Sequence, residues 1–265
     1  MSLPIPILLY HRIDNAKYST STSPLLFRQH LQWLKERGWR SLSADEFCFA
    51  MMTGRSFPAR SFLITFDDGY ESIRSTALAI LREFDCKAIS FLSTAFLRNP
   101  DDKCVPLSNI EHPEHYLSWT QARELQSSGI VDCQSHSHGH NNFTTYSAEK
   151  LKQDLAMSIY MLASELRLPK SHFSHLAWPW GLSQPAWRGI ATAIGFKYQY
   201  GVSRQSARVN CPLDQIPRTC FDASSFSQFQ RQVWLQSSHV APIWDLAYPL
   251  GRKLRQFSSR IRNAA

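Results

Sequence analysis

Short apolar runs recur along the chain, each ending in polar residues. Residues 5–10, 61–66, 87–92, 130–135 and 174–178 read as buried strands, with a weaker one at 197–202. Between them the apolar positions fall at helical spacing. Pro24 suits the first turn of a helix whose Phe27, Leu31 and Leu34 line one face and which Gly38 ends. Ser147 can cap a longer helix carrying Leu151, Leu155, Ile159, Leu162 and Leu166, with Glu149 in its first turn and Pro169 just past its end. Strands alternating with helices predict an α/β chain built on a parallel sheet or barrel. Residues 99–115 are polar and contain proline, and read as a loop forming a lid or rim insertion.

Composition sets the scale. A chain of 265 residues, 43% hydrophobic and 12% aromatic, can fill one large α/β core and is unlike a disordered polymer. The net charge of +8 favours anionic partners. No nucleic-acid-binding signature accompanies it, which disfavours a nucleic-acid partner. The six cysteines form no C-x-x-C pair and read as buried free thiols in a reducing compartment. The N-terminus shows no signal-like pattern and no stretch approaches a membrane span, so the expected location is the cytoplasm.

The polar residues that follow the strands carry the chemistry. Asp67 and Asp68 follow the second run, His136 the fourth, Pro179 and Trp180 the fifth, and His11 the first. In a parallel barrel all these strand ends share one rim, where active sites sit. Adjacent carboxylates repel, so a cation beside Asp67 and Asp68 is expected. His136 and His140 are four residues apart and would share one face of a helical turn. One carboxylate and two imidazoles suffice to hold a catalytic divalent metal with coordination positions to spare, which leaves the other carboxylate as a base. His138 is offset and reads as a supporting group, with Ser137 orienting the loop. His11 is a candidate general acid. Trp180 is a candidate wall for a sugar ring and its backbone N–H a candidate oxyanion donor, while Trp178 reads as core. Pro179 and Arg218 are placed with Trp180 on the substrate side, where Arg218 could also pair with Asp67.

At these residues the chain resembles the polysaccharide deacetylases, the NodB-like carbohydrate esterases. Thr65-Phe66-Asp67-Asp68-Gly69 matches their T-F-D-D-G motif, and His136-Ser137-x-x-His140 matches H-[ST]-x-x-H. The likeness spans roughly residues 5–218. It implies a distorted (β/α)7-type barrel, with Asp67 as catalytic base and Asp68, His136 and His140 as metal ligands. Two departures stand out. The third motif, often R-x-P-Y-G, is Ala177-Trp178-Pro179-Trp180-Gly181 here, so its arginine is missing and its tyrosine is a tryptophan. The late L-x-H motif has no C-terminal counterpart, since His239 lacks an apolar strand before it, but Leu9-Tyr10-His11 fits at the other end. That is similar to the biofilm-polysaccharide N-deacetylase subgroup, in which this strand lies at the N-terminus. First and last strands of a closed barrel are neighbours, so such a permutation preserves the site, and the acid role goes to His11.

The expected activity is hydrolysis of N-acetyl groups on an amino-sugar glycan, assisted by Zn²⁺, with Co²⁺ or Ni²⁺ also suited to the ligands. Alternatives are a glycan-binding pseudoenzyme, for which the missing arginine speaks, and a deacylase of a lipid-linked sugar. The barrel is expected to occupy residues 1–245 and a basic tail residues 246–265. In that tail Leu250, Leu254, Phe257 and Ile261 fall at helical spacing among Arg252, Lys253, Arg255, Arg260 and Arg262. It reads either as a helix docked on the barrel or as a peripheral contact with an anionic membrane, at its inner face.

Overall fold

The computed structural model of the protein describes residues 3–98 and 116–249. The first half comprises β1 (Ile7–Tyr10), β2 (Arg12–Ile13), β3 (Ser21–Thr22), α1 (Pro24–Glu36), β4 (Arg40–Ser41), α2 (Ala44–Thr53), β5 (Ser61–Phe66), α3 (Leu78–Glu83) and β6 (Ala88–Leu92). The second comprises α4 (Trp119–Ser127), β7 (Val131–Ser135), α5 (Ala148–Leu166), β8 (His175–Ala177), α6 (Pro185–Ile194), β9 (Tyr198–Tyr200), β10 (Thr219–Cys220) and α7 (Phe226–Ser237). All six expected strands are present, each trimmed by no more than two residues at an end. The first starts at Ile7 because Pro6 has no N–H to give to a ladder. Helix α1 begins at Pro24 under a Ser23 cap and buries Phe27, Leu31 and Leu34. Helix α5 begins after the Ser147 cap and buries its predicted leucine stripe.

The main sheet runs β10-β1-β5-β6-β7-β8-β9, with β4 beside the start of β5, and every pairing is parallel. The chain between β9 and β10 closes the curl. Gln199 N donates to Leu213 O, Gly201 N to Ile216 O and Ser203 N to Arg218 O, and the next residues, Thr219 and Cys220, pair with β1. First and last strands are therefore neighbours, as the permuted motif order requires.

Alternation along the strands divides the core in two. Leu8, Tyr10, Phe62, Ile64 and Phe66 face outward onto the helices, with α1 and α5 contributing to the same cluster. Ile7, Leu63, Ile89, Phe91, Ala177, Tyr198, Tyr200 and Ile216 face inward, and α2 plugs that interior with Phe47, Ala50 and Met51. Period-two geometry carries the same inward column upward from Leu63 to Thr65 and Asp67, and from Ile7 to Leu9 and His11. The barrel is thus apolar below and polar at its C-terminal rim.

The expectation that the cysteines are buried is corrected here. A helix covers residues 241–249, through the expected 245/246 boundary. It is docked, because the Asp245 carboxylate accepts from Ser206 N (2.9 Å), Ser206 Oγ (2.5 Å) and Arg208 Nη2 (2.9 Å). The cysteines among the described residues are free thiols, but only Cys86 and Cys133 are buried, while Cys48, Cys211 and Cys220 are partly exposed. The 99–115 loop and residues 250–265 of the tail lie outside the described residues. No helix among the described residues is long and apolar enough to cross a membrane.

Candidate active site

Strand register assembles the site. Tyr10 pairs with Phe66, so the next residues, His11 and Asp67, emerge side by side, and Asp67 N donates to Tyr10 O (3.0 Å). Leu92 pairs with Ser135, and His136 N donates to Leu92 O (2.9 Å). Leu9 pairs with Cys220, which sets Asp222 opposite His11 two residues further on. The chain then turns sharply at Asp68 (φ 72°) and Gly69 (φ 86°). Gly69 is required twice over: its φ is left-handed, and a Cβ there would press on Leu92 and Leu97 at 3.2 Å.

One ligand atom from each of Asp68, His136 and His140 lies within 4.8 Å of the others. Both Nε2 atoms stand 3.3 Å from Asp68 Oδ1. His136 Nδ1 lies 2.8 Å from Ala177 O; a carbonyl only accepts, so Nδ1 carries the proton and Nε2 presents its lone pair. Asp68 Oδ1 is buried with no hydrogen-bond partner. An orphaned carboxylate oxygen between imidazole nitrogens is costly by itself and is satisfied by a cation. The residues present therefore fit a divalent ion. Burial would raise the Asp68 carboxyl, but the imidazoles of His136, His11 and His140 around it hold it well below the usual carboxylate range. Burial, reinforced by the neighbouring His136, lowers His140 to about 4, keeping it neutral and able to donate a lone pair.

The histidines do not sit on a helical turn, contrary to the spacing argument. Residues 136–140 form a loop with left-handed residues at Ser137 (φ 69°) and His140 (φ 47°). Hydrogen bonds replace the helix. Ser137 Oγ accepts from His140 N (3.1 Å), and the Asp154 carboxylate on α5 accepts from His138 N (2.9 Å) and Gly139 N (3.0 Å). His138 Nδ1 bonds Thr94 Oγ1 at 2.8 Å, outside the ligand set.

Asp67 is gripped from the other side. Arg218 Nη1 and Nη2 donate to its two oxygens at 2.6 and 2.8 Å, and the guanidinium lies over the rings of Phe91 and Tyr200. Burial would raise Asp67, yet the Arg218 charge outweighs it and the carboxyl is held below its ordinary value. Arg218 is 0% exposed, so its guanidinium faces Asp67, one of the two readings the sequence offered for it, and not open space on the substrate side. A guanidinium thus reaches the paired carboxylates from the segment just before β10.

His11 Nδ1 lies 2.5 Å from Asp222 Oδ2, and Thr22 Oγ1 donates to Asp222 Oδ1 (3.0 Å). Burial pulls the imidazole down, but the bond to Asp222 dominates and its pKa is raised well above the ordinary value. Asp222 escaped the sequence reading. It follows a strand end on the rim, as the other site residues do, but a two-residue strand leaves no apolar run to mark it. Asp154 was missed because it lies mid-helix. Trp180 is 56% exposed, adopts φ 53° and packs its ring 4.5 Å from that of His140. Pro179 is buried, and the outward surface of this turn is Trp180's. Trp178 is core, as expected.

A closed parallel barrel with a metal-competent carboxylate–imidazole cluster on its C-terminal rim defines a class of rim-site α/β barrels. Comparison narrows it. The polysaccharide deacetylase family model matches residues 54–199, more than half of the chain, and the chain belongs to that family. It is similar to the poly-beta-1,6-N-acetyl-D-glucosamine N-deacetylase of Escherichia coli (strain K12), at 31% identity over 124 residues. That alignment takes in 46% of this chain but only 18% of the other, so the chain spans less than a fifth of that relative. The enzyme of the same name from Staphylococcus aureus (strain MRSA252) is 24% identical over 239 residues, 83% of this chain and 79% of that one. In fold, the chain resembles the Streptococcus pyogenes deacetylase PplD, solved with acetate. The TM-score is 0.74 at 21% identity, over 88% of this chain and 99% of that one.

Proposed function

We propose that this chain hydrolyses N-acetyl groups of an amino-sugar polysaccharide, with β-1,6-linked N-acetylglucosamine polymer, the substrate in the relatives' names, as the first candidate. The observation that carries the reading is the convergence of Asp68, His136 and His140 on one buried, unpartnered oxygen directly beside Asp67.

Asp68, His136 and His140 would hold the ion, with Zn²⁺ the first candidate and Co²⁺ or Ni²⁺ suited to the same ligands. When bound, a divalent ion there polarises the acyl carbonyl and acidifies water. Asp67, kept ionised by Arg218, takes the proton of the attacking water. Each of its oxygens spends one lone pair on Arg218 and retains another. Attack at the carbonyl carbon gives a tetrahedral oxyanion. His11, kept protonated by Asp222, gives a proton to the departing amine, and acetate and a free amino sugar leave. Trp180 offers the sugar ring an apolar face beside the reacting group.

The pseudoenzyme reading loses its motivation, because Arg218 supplies the guanidinium whose absence suggested it. Acetate release from metal-loaded protein on β-1,6-linked N-acetylglucosamine oligomers, compared with chito-oligosaccharides and lipid-linked N-acetyl sugars, tests the activity and ranks substrates. An Asp67→Asn variant that binds metal and keeps full activity would refute the mechanism. We further propose a peripheral contact with anionic membrane on the cytoplasmic face, supported by the basic tail and by Ile243 and Leu246, 69% and 73% exposed on the helix leading into it. Equal sedimentation with anionic liposomes before and after deleting residues 250–265 would remove that contact.

A further inference from the structure

The His11–Asp222 pair has a third neighbour with no part in the hydrolysis. Cys220 Sγ lies 3.4 Å from Asp222 Oδ2. His11, Cys220 and Asp222 each offer one ligand atom within 4.8 Å of the others, and all three are partly exposed. This cluster shares no residue with the Asp68 set and differs from it in containing sulfur. We propose that His11, Cys220 and Asp222 form a second metal site, for a thiophilic divalent ion such as Zn²⁺, whose occupation disables the general acid.

The geometry is close to what such an ion needs. Tetrahedral zinc with ordinary bond lengths sets sulfur and oxygen about 3.6 Å apart and nitrogen and oxygen about 3.4 Å apart. The sulfur–oxygen edge, at 3.4 Å, is nearly in place. The nitrogen–oxygen edge, at 2.5 Å across a shared proton, opens by about 1 Å as the ion replaces that proton. The other oxygen of Asp222 stays tied to Thr22 Oγ1 (3.0 Å) and His11 N (3.4 Å), which anchors the carboxylate while Oδ2 turns to the ion. Water takes the fourth position.

The proton balance is explicit. Imidazolium loses the Nδ1 proton and the thiol loses its own, so two protons are released per ion bound, and His11 keeps only its Nε2–H. A neutral, metal-bound imidazole is a far poorer acid than imidazolium, so the amine departs unprotonated and turnover stops. Free zinc then acts in two phases, activating through Asp68, His136 and His140 and inhibiting through His11, Cys220 and Asp222. Only the inhibition depends on the deacetylase reading; ion binding at the sulfur-bearing site does not.

Cobalt distinguishes the two sites because only one offers a thiolate. Co²⁺ is titrated into chelator-stripped full-length protein, with near-ultraviolet thiolate-to-cobalt absorption and bound metal per chain as readouts. The expected result is two ions per chain and the thiolate band for wild type, one ion and no band for Cys220→Ser, and the band retained in His140→Ala. The inhibitory phase of zinc in the acetate-release assay disappears in Cys220→Ser. In the unmutated protein, iodoacetamide labelling of Cys220, mapped by peptide mass, slows at least tenfold once the second ion is bound. A wild-type protein with no band at two equivalents, a band that survives in Cys220→Ser, or labelling unchanged by zinc overturns the site. Failure of acetate release with the band intact overturns the enzymatic reading and leaves the metal site standing.

Discussion

Replacing Arg218 with methionine removes the guanidinium and nearly preserves the volume between Phe91 and Tyr200. Asp67, at 2% exposure, then keeps its charge without its bidentate partner. Breaking a buried ion pair from one side costs about 3–5 kcal/mol, because the survivor can neither be solvated nor compensated. For a chain of this size each kcal/mol moves the melting point by about 2–4 °C, so Arg218→Met melts about 6–20 °C below wild type at neutral pH. The sign with pH follows from the lowered Asp67 value. The pair stabilises the fold above the unfolded carboxylate's pKa, and that contribution fades as pH falls through the folded value, so the two melting curves approach each other in acid. In activity, burial no longer opposed by Arg218 raises Asp67, and the acid limb of kcat/KM moves to higher pH. Thermal melts of metal-free protein across pH, with the double variant Asp67→Asn/Arg218→Met as control, separate charge from packing. The double variant carries no unpaired charge and is more stable than Arg218→Met. A melting point for Arg218→Met within about 2 °C of wild type at neutral pH, or an acid limb that does not move, would show that Arg218 does not hold Asp67 ionised.

Asp222→Asn removes the charge behind the strongest interaction that raises His11, so burial is less opposed; the basic limb of activity moves to lower pH, and the His11 Cε1 proton, followed by NMR, titrates lower. Because that folded value is raised, the His11–Asp222 bond stabilises the protein below the unfolded histidine pKa, and the benefit is lost as pH rises through the folded one. Asp154→Ala frees the backbone of His138 and Gly139 and lowers metal affinity about 10–100-fold by competitive chelator titration, with Asp68, His136 and His140 untouched. Trp180→Ala, at an exposed position, changes stability by less than about 0.5 kcal/mol in denaturant melts but raises KM for oligomers.

The fold was legible where burial is continuous. Strand β5 and its neighbours announce themselves as unbroken apolar runs because helices cover one face and the α2-plugged interior covers the other. Strand β10 was not legible, since two residues bonded to two flanking chains need no pattern of their own. The same distinction applies to the site. Asp67, Asp68, His136 and His140 stand in compact motifs after strands that can be read. Asp222 and Asp154 act through strand register and helix docking, which are properties of assembly and leave no spacing in the sequence. The His136–His140 interval was read correctly as convergent but for the wrong reason: a loop braced by Ser137 and Asp154 does what a helical turn would have done. Arg218 was read both as a substrate-side cation and as a partner for Asp67, and closure of the barrel selects the second by enclosing the guanidinium against the buried carboxylate.

Closure also explains how one rim carries opposite protonation states. Asp67 and His11 leave adjacent strands at the same level, so distance alone gives them similar surroundings. What separates them is the chain that fills the gap between β9 and β1. It brings Arg218 just before β10 and Asp222 just after it, a cation to the carboxylate and an anion to the imidazole. Burial opposes the charged form of each group, and in each case the partner overrides it, downward for Asp67 and upward for His11. An ionised carboxylate and a protonated imidazole can then coexist at one pH within a single small site, as the two proton transfers of the proposed hydrolysis require. Residues 218–222 are thus the segment on which the division of labour rests, and shifting β10 by one residue against β1 would exchange neither partner correctly.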